Sequence, residues 1–423
     1  MPKLSWNLKK VKEKINAEEM AEKLSENYDK RLREDGVDTD KASAKSAKRA
    51  HFVGICALVL CAAIILSMLL IFGKDIGPMN LYNFFREVAL MGQVGEGERE
   101  QISYSQPTRN QSFSEFKRGF IVASDREVQV FNKAGYETLI DQLSYSNPMI
   151  ATSKNTFIVY DLGGLGFTLY NAFEDMYSET REYPISAAHM SEDGKFAIVG
   201  KSERHNTEVV MYDSDGKREL SYKRGDLAVD CKYNEKGNHL ALLTLDAFDG
   251  EYIYTLTILS TKNGEVVSSV EGVGDLPYGC YYLGNDRIAV LLDDSLVIYN
   301  NKCEEIGTYE YPQGKLYKTS VTDKSIALLF TNDRVNMKNT LYIIDSKGKL
   351  DREIPIEGEF SDMEVSSKYA YFAAEGGVYR LEIGTGKLQF AAIDGIDGDV
   401  IILDGNRVML ARPNMSYIIT AFS

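Results

Sequence analysis

The sequence predicts an all-β protein: an eight-bladed β-propeller, with a seven-bladed ring as the fallback, preceded by one transmembrane helix and an N-terminal cytoplasmic helix. Three observations carry this expectation. One apolar strand pattern recurs eight times between residues 119 and 412, at steps of 37 to 48 residues, which is the range of propeller blades. The chain holds 26 Tyr and 18 Phe, with 34 Gly against 9 Pro, a composition suited to strands joined by glycine turns. Residues 52–73 run for 22 positions without a charged side chain, enough to cross a hydrocarbon core of ~30 Å as a helix.

From the N-terminus, residues 3–35 read as a helix. Leu8, Val11 and Ile15 share one face, and Met20, Leu24, Tyr28 and Leu32 continue it at a spacing of four. Lys9, Lys10, Lys12 and Lys14 cluster near its start. Such a helix either lies on a membrane surface, docks a cytoplasmic partner, or is simply solvated. Residues 36–50 form a polar linker.

The apolar run 52–73 reads as an uncleaved signal anchor, the alternative being a buried core helix. It is too long for a signal-peptide core, and no small-x-small cleavage site follows. Arg33, Lys41, Lys45, Lys48 and Arg49 precede it, against Lys74 and Arg86 after it. The positive-inside rule then places the N-terminus in the cytoplasm and residues 74–423 outside. Residues 1–50 carry 13 Lys/Arg and 10 Asp/Glu, the remainder 35 and 52. A basic tail suits anionic headgroups, and an acidic exterior stays soluble. Between anchor and ring, Leu81, Phe84, Phe85 and Val88 form an apolar stripe in residues 79–90, and 92–99 is a glycine-rich linker. The expected domains are thus 1–51, 52–73, 74–99 and the propeller, 100–423.

The repeat begins with GFIVAS at 119 and continues through TFIVYD at 156, FAIVGK at 196, HLALLTL at 239, RIAVLL at 287, SIALLF at 325, YAYFAAE at 369 and RVMLAR at 407. A second strand, a tight polar turn and a more polar outer strand follow in turn. Runs such as IAVLL are apolar on both faces, so each sheet must be covered on both sides. Blades packed face to face around an axis achieve this. The last unit supplies only three strands before Ser423, and an unpaired edge there invites aggregation. Residues 101–106, which alternate polar and apolar, are expected to supply its outer strand and close the ring.

Within unit three, Ser191, Asp193, Gly194 and Lys195 form an S-x-D-G-K turn, and Tyr212, Asp213, Gly216 and Lys217 a Y-D-x-x-G-K turn. The unit resembles the TolB-type WD-like repeat. The segment 382–390, EIGTGKLQF, resembles the turn of quinoprotein-like and BamB-like blades, with Glu382 in place of Asp and Phe390 in place of Trp. The whole layout looks like a clostridial family of single-pass membrane proteins with an extracytoplasmic propeller, catalogued as of unknown function. That resemblance implies a fold and a location but no activity.

The sequence carries few patterns that point to a reaction. A net charge of −14 argues against nucleic-acid binding, which needs a basic footprint. His51, His189, His205 and His239 show no metal-ligand spacing. His189, on an inner strand, either faces the axial channel or serves as a hydrogen-bonded structural residue. Gly163–Gly166 reads as a hairpin turn. No nucleophile elbow, Walker A loop or dinucleotide fingerprint occurs. A glycosidase-like carboxylate pair has no distance in a sequence. Asp394, Asp397 and Asp399 fail the EF-hand pattern and read as an interblade loop. No cofactor or metal is expected. Of five cysteines, Cys56 and Cys61 fall in the apolar run; Cys231, Cys280 and Cys303 lie beyond it, an odd number that leaves at least one unpaired and leaves open either free thiols or a Cys231–Cys280 bridge between adjacent blades.

Three connections between second and third strands are long: 202–207, 246–252 and 331–339. Long loops on a rigid scaffold are common binding sites. Phe248 and Tyr252 would supply contact area, with Asp246, Asp249 and Arg334 as polar companions and His205 on a neighbouring loop. The reading is a non-enzymatic scaffold tethered to a plasma membrane, binding an envelope protein or polymer, with an intracellular partner open to the N-terminal helix. The rivals are an envelope hydrolase or lyase using channel carboxylates or His189, and a transmembrane sensor.

Overall fold

The computed structural model describes residues 52–60, 101–104, 110–333, 337–393, 398–405 and 407–422, without the side chains of 332 and 333. The chain divides into two compact units, Met1–Met91 and Gly92–Ser423. In the first, residues 52–60 are helical. Among the described residues no helix is long and apolar enough to cross a membrane; residues 61–73, most of the apolar run, lie outside them. So do the expected tail helix 3–35, the linker 36–50, the stripe 79–90 and the segment 92–99.

The described residues of the second unit form eight four-stranded antiparallel sheets. The ring is therefore an eight-bladed propeller, and the seven-bladed alternative is not realised. In blades one to seven, four consecutive strands pair in chain order, and first strands of neighbouring blades meet around the axis, as Gln111–Phe116 does with Pro148–Thr152 and with Asp399–Asp404. Blade eight is composite. Asp399–Asp404, Arg407–Ala411 and Met415–Ile419 provide its inner three strands, and Gln101–Ser103 pairs with the last, Gln101 opposite Tyr417 and Ser103 opposite Met415. The Tyr104 and Ser416 hydroxyls then share a hydrogen bond.

The recurring apolar run is the second strand of each blade. Gly119–Ser124 and Thr156–Asp161 are buried along their whole length, whereas outer strands such as Val266–Val273 alternate exposed and half-buried. The reason is that the apolar core is distributed over the joints between blades. Between blades four and five, Leu243, Leu256 and Ile258 meet Ile288, Val290 and Val297. Between blades eight and one, Ile102, Met409 and Ile418 meet Phe120, Val122 and Phe131. Each fully buried side chain of this size contributes about 1.5–3 kcal/mol, so both faces of a middle strand stabilise the ring.

The polar turns of the repeat have a local cause. Asp213 Oδ1 accepts the N–H groups of Asp215 (3.0 Å) and Lys217 (2.8 Å), and Gly216 takes φ +84°. Asp345 repeats the device with Lys347 and Lys349, and Gly348 takes φ +75°. The carboxylate caps the turn and glycine accepts the left-handed backbone. The motif residues of these turns thus make hairpins.

The Cys231–Cys280 bridge that the sequence allowed is not formed. Both thiols are free and buried. Cys231 packs in the joint between blades three and four, and Cys280 in the joint between blades four and five.

Candidate functional site

The three long connections lie on one face of the ring, and each is built mainly of paired strand. Ser202 pairs with His205, so only Glu203 and Arg204 turn there. Asp333 pairs with Lys338; Arg334 is outside the described residues. The most extended case is blade four. Its middle strands, His239–Phe248 and Glu251–Ser260, have ten residues each and pair as far as Phe248 opposite Glu251. The turn is Asp249–Gly250, with φ +53° and +87°, which matches a two-residue I′ hairpin. The Asp-Gly dipeptide between alternating side chains is the signal that would have identified a hairpin in place of a loop.

The hairpin outruns its own sheet. Pairing with the inner strand Leu227–Tyr233 ends at Leu227 opposite Leu245, and pairing with the outer strand ends at Ile253 opposite Val273. Residues 246–252 therefore project beyond the ring. Phe248 is 75% exposed and Tyr252 49%. Strand side chains alternate, and Leu240 and Leu242 pack toward blade three while Leu243 and Tyr254 pack toward blade five. Asp246 and Phe248 thus share the blade-three side, and Tyr252 takes the blade-five side.

Beyond Tyr252, the Tyr254 and Tyr299 hydroxyls meet at 2.9 Å across the joint of blades four and five. Above that joint Tyr278 is 62% exposed. Asp275, Asp293 and Asp294 bring carboxylate oxygens within 4.8 Å of one another. Asp293 accepts the Leu276 N–H at 3.0 Å. Burial, then the charges of Asp294 and Asp293, push the Asp275 carboxyl above its ordinary value. Exposed carboxylates at this spacing do not by themselves make a metal centre.

The inner strands present a second polar system. Side chains of one blade accept backbone N–H groups from the inner strand of the next. His189 Nδ1 accepts from Tyr233 at 3.1 Å, Asp230 from Cys280 at 3.2 Å, Ser320 from Val365 at 2.9 Å, and Asp362 from Val400 at 3.0 Å. Glu364 accepts from Ile402. An innermost strand has a ladder partner on one edge only, so its channel-edge donors need such acceptors. His189 is thereby placed in a structural bond; burial, then Lys232, holds its imidazole well below the usual value. Lys318 pairs with Asp362 at 3.0 Å. Glu364 is pushed up to about 7, by burial and by Asp362 and Glu115, against the opposing Ile402 bond. Asp399 is raised by burial and Asp362; Asp394 and Asp397 are outside the described residues.

The sequence-derived candidates therefore separate. Asp246, Phe248, Asp249 and Tyr252 come together on one projecting hairpin. His205 sits on the neighbouring hairpin of blade three, exposed, and His189 lies on an inner strand. The additional groups at the hairpin's side, Tyr278 and the three aspartates, come from connections more than twenty residues further along the chain, which no local pattern links to it.

The chain belongs to the family of unknown function DUF5711, which it matches over residues 96–414. No curated protein matches the sequence. Among solved structures, the chain is similar to Saccharomyces cerevisiae Sqt1, with a TM-score of 0.58 and 11% identity over 77% of this chain and 100% of that one. It is also similar to BamB from Moraxella catarrhalis, with a TM-score of 0.52 and 11% identity over 76% and 98%. At that identity the likeness is one of fold, and it does not carry function.

Proposed function

We propose that this member of the DUF5711 family is a non-enzymatic interaction scaffold, a propeller held at the outer face of a plasma membrane by residues 52–73. It presents the face bearing the 246–252 hairpin to an envelope protein or polymer, and its N-terminus lies in the cytoplasm. The observation that carries this reading is the hairpin itself. Its first strand continues three residues past the last pair with the inner strand, and the projecting part carries Phe248 and Tyr252, both exposed. Aromatic side chains on a rigid support are the usual anchors of binding surfaces.

The test is a pull-down from detergent-solubilised envelope with the full-length chain as bait, beside a variant whose residues 246–252 are replaced by a two-residue turn. A partner retained by the first and lost by the second supports the scaffold. Retention by both removes the hairpin from the reading. The location has its own test, because the propeller thiols Cys231, Cys280 and Cys303 are buried. Asp215→Cys in an exposed turn should react with a membrane-impermeant maleimide on intact cells. Reaction only after lysis would place the ring inside.

A second reading, an envelope hydrolase or lyase, is favoured by Glu364. A carboxyl near 7 suits general acid and base work at neutral pH. Turnover of an envelope glycan that Glu364→Gln abolishes, with the melting temperature kept, would replace the scaffold reading.

A further inference from the structure

We infer that the partner taken by the hairpin face is a basic polypeptide segment, one that sets lysine or arginine side chains against Tyr252, Tyr278 and the acidic rim of blades four and five. This rests on the scaffold reading and narrows its partner. The exposed rings on the blade-five side are Tyr252 and Tyr278, with Phe248 on the other side of the same hairpin tip. The charges around it decide what covers it. Asp246, Asp249, Glu251, Asp275, Asp293 and Asp294 lie in the projecting hairpin, the connection 273–278 and the turn 293–294. These three segments contain no Lys or Arg, and none of the six carboxylates enters a salt bridge among the described residues.

Three carboxylates elsewhere in the ring are neutralised by cations of the ring itself. Asp226, one blade joint away, is held by Arg224 at 2.5 Å. Glu208 meets Arg218 at 3.1 Å and Arg181 at 3.5 Å. Asp362 meets Lys318. The rim of blades four and five is the contrast: carboxylates crowded to within 4.8 Å, their repulsion unrelieved from within the ring. A cationic side chain relieves it. Tyrosine faces attract the same cations through the ring quadrupole. An anionic polymer or an anionic lipid surface meets repulsion here, and complementary charge is what selects among partners.

The experiment uses the full-length chain in nanodiscs of neutral lipid and three short labelled peptides: one of Lys, Tyr and Gly, its Glu-for-Lys counterpart, and its Ser-for-Tyr counterpart. Fluorescence anisotropy should show binding of the Lys/Tyr peptide, weaker binding of the Lys/Ser peptide and none of the Glu/Tyr peptide. Phe248→Ser with Tyr252→Ser should weaken the first by about tenfold or more. Asp249→Asn with Asp275→Asn and Asp294→Asn should flatten its salt dependence, because rim charges act through screened attraction. Of the five substituted positions four are exposed and Asp275 is half-buried, so melting temperatures report that the variants fold. Failure of the Lys/Tyr peptide to bind, equal binding to both variants, or preference for the Glu/Tyr peptide overturns the inference. An envelope partner that depends on the hairpin but proves acidic, or insensitive to salt, also overturns it while leaving the scaffold standing. Capture indifferent to the hairpin removes both.

Discussion

The middle strands of blade four, His239–Phe248 and Glu251–Ser260, have ten residues each, while those of blade eight, Arg407–Ala411 and Met415–Ile419, have five. Blade four packs apolar side chains on both faces and still has length left over, which becomes the projecting hairpin. Blade eight, with middle strands half as long, also packs apolar side chains on both faces, and it joins both ends of the propeller chain. It is held by directional polar bonds from its neighbours. Asp362 and Glu364 of blade seven take the N–H groups of Val400 and Ile402. On the other side, Arg407 donates to the carbonyls of Lys133 at 2.6 Å and Arg118 at 2.9 Å in blade one. Blade four carries one such bond on each side, Tyr233 N–H to His189 and Cys280 N–H to Asp230, whereas apolar packing is non-directional. Closing a ring in one register needs bonds that specify position.

Ile102 is 3% exposed in the joint of blades eight and one. Ile102→Asp buries an unpaired charge and should cost several kcal/mol, on the order of 3–5, read as a drop in the urea midpoint. A loss under about 0.5 kcal/mol would mean that the strand Gln101–Ser103 does not hold the ring closed.

Glu364 comes next. Glu364→Ala leaves the Ile402 N–H without its acceptor, a loss of about 1–3 kcal/mol, whereas Glu364→Gln keeps an acceptor. The two should also part in pH dependence. The folded carboxyl titrates near 7 against an ordinary value of 4.5, so the folded state binds more protons between those values. Its stabilising contribution is complete below about 4.5 and is lost as pH rises through about 7. Melting temperatures of Glu364→Gln should therefore vary less across that window than those of the parent chain; an unchanged profile would assign the slope to other groups.

Glu208 is shifted with the opposite sign. Burial raises it, but the Ser221 hydrogen bond and the charges of Lys223, Arg181 and Arg218 outweigh burial and leave it below its ordinary value. Its contribution is present above the ordinary value of 4.5 and lost as pH falls through the lowered one. Glu208→Gln should flatten the acid limb and leave the 4.5–7 window alone. A change inside that window would show that the two carboxylates are linked around the ring.

The smallest effect belongs to the hairpin tip. Gly250 has φ +87° with nothing within 4 Å of an added Cβ, so Gly250→Ala should cost only backbone strain, roughly 1 kcal/mol. Replacing 246–252 by a two-residue turn should leave global stability within about 0.5 kcal/mol. A larger loss in either variant would make the projection part of the fold rather than an addition to it.

The sequence by itself determined the repeat, which favoured eight blades over seven, the fully buried second strand and the turns, because each is a local pattern. An apolar run on both faces declares a covered strand, and an Asp or Asn with a glycine declares a capped hairpin turn. Tertiary structure decided the rest. Residues 246–252 read as a loop by length, yet they pair, since a hairpin is defined by what lies opposite. Whether Phe248 and Tyr252 share a side depends on the pleat, which the packing of Leu242 and Tyr254 fixes further down the strands. The bonds that join blades link residues far apart in the chain, 38 positions for Glu364 and Ile402 and 50 for Asp230 and Cys280. A net charge of −14 likewise counts carboxylates without showing which are paired. Only the folded ring separates the neutralised ones at Glu208 and Asp362 from the crowded ones at Asp275, Asp293 and Asp294, because attraction and repulsion between charges depend on distance in space.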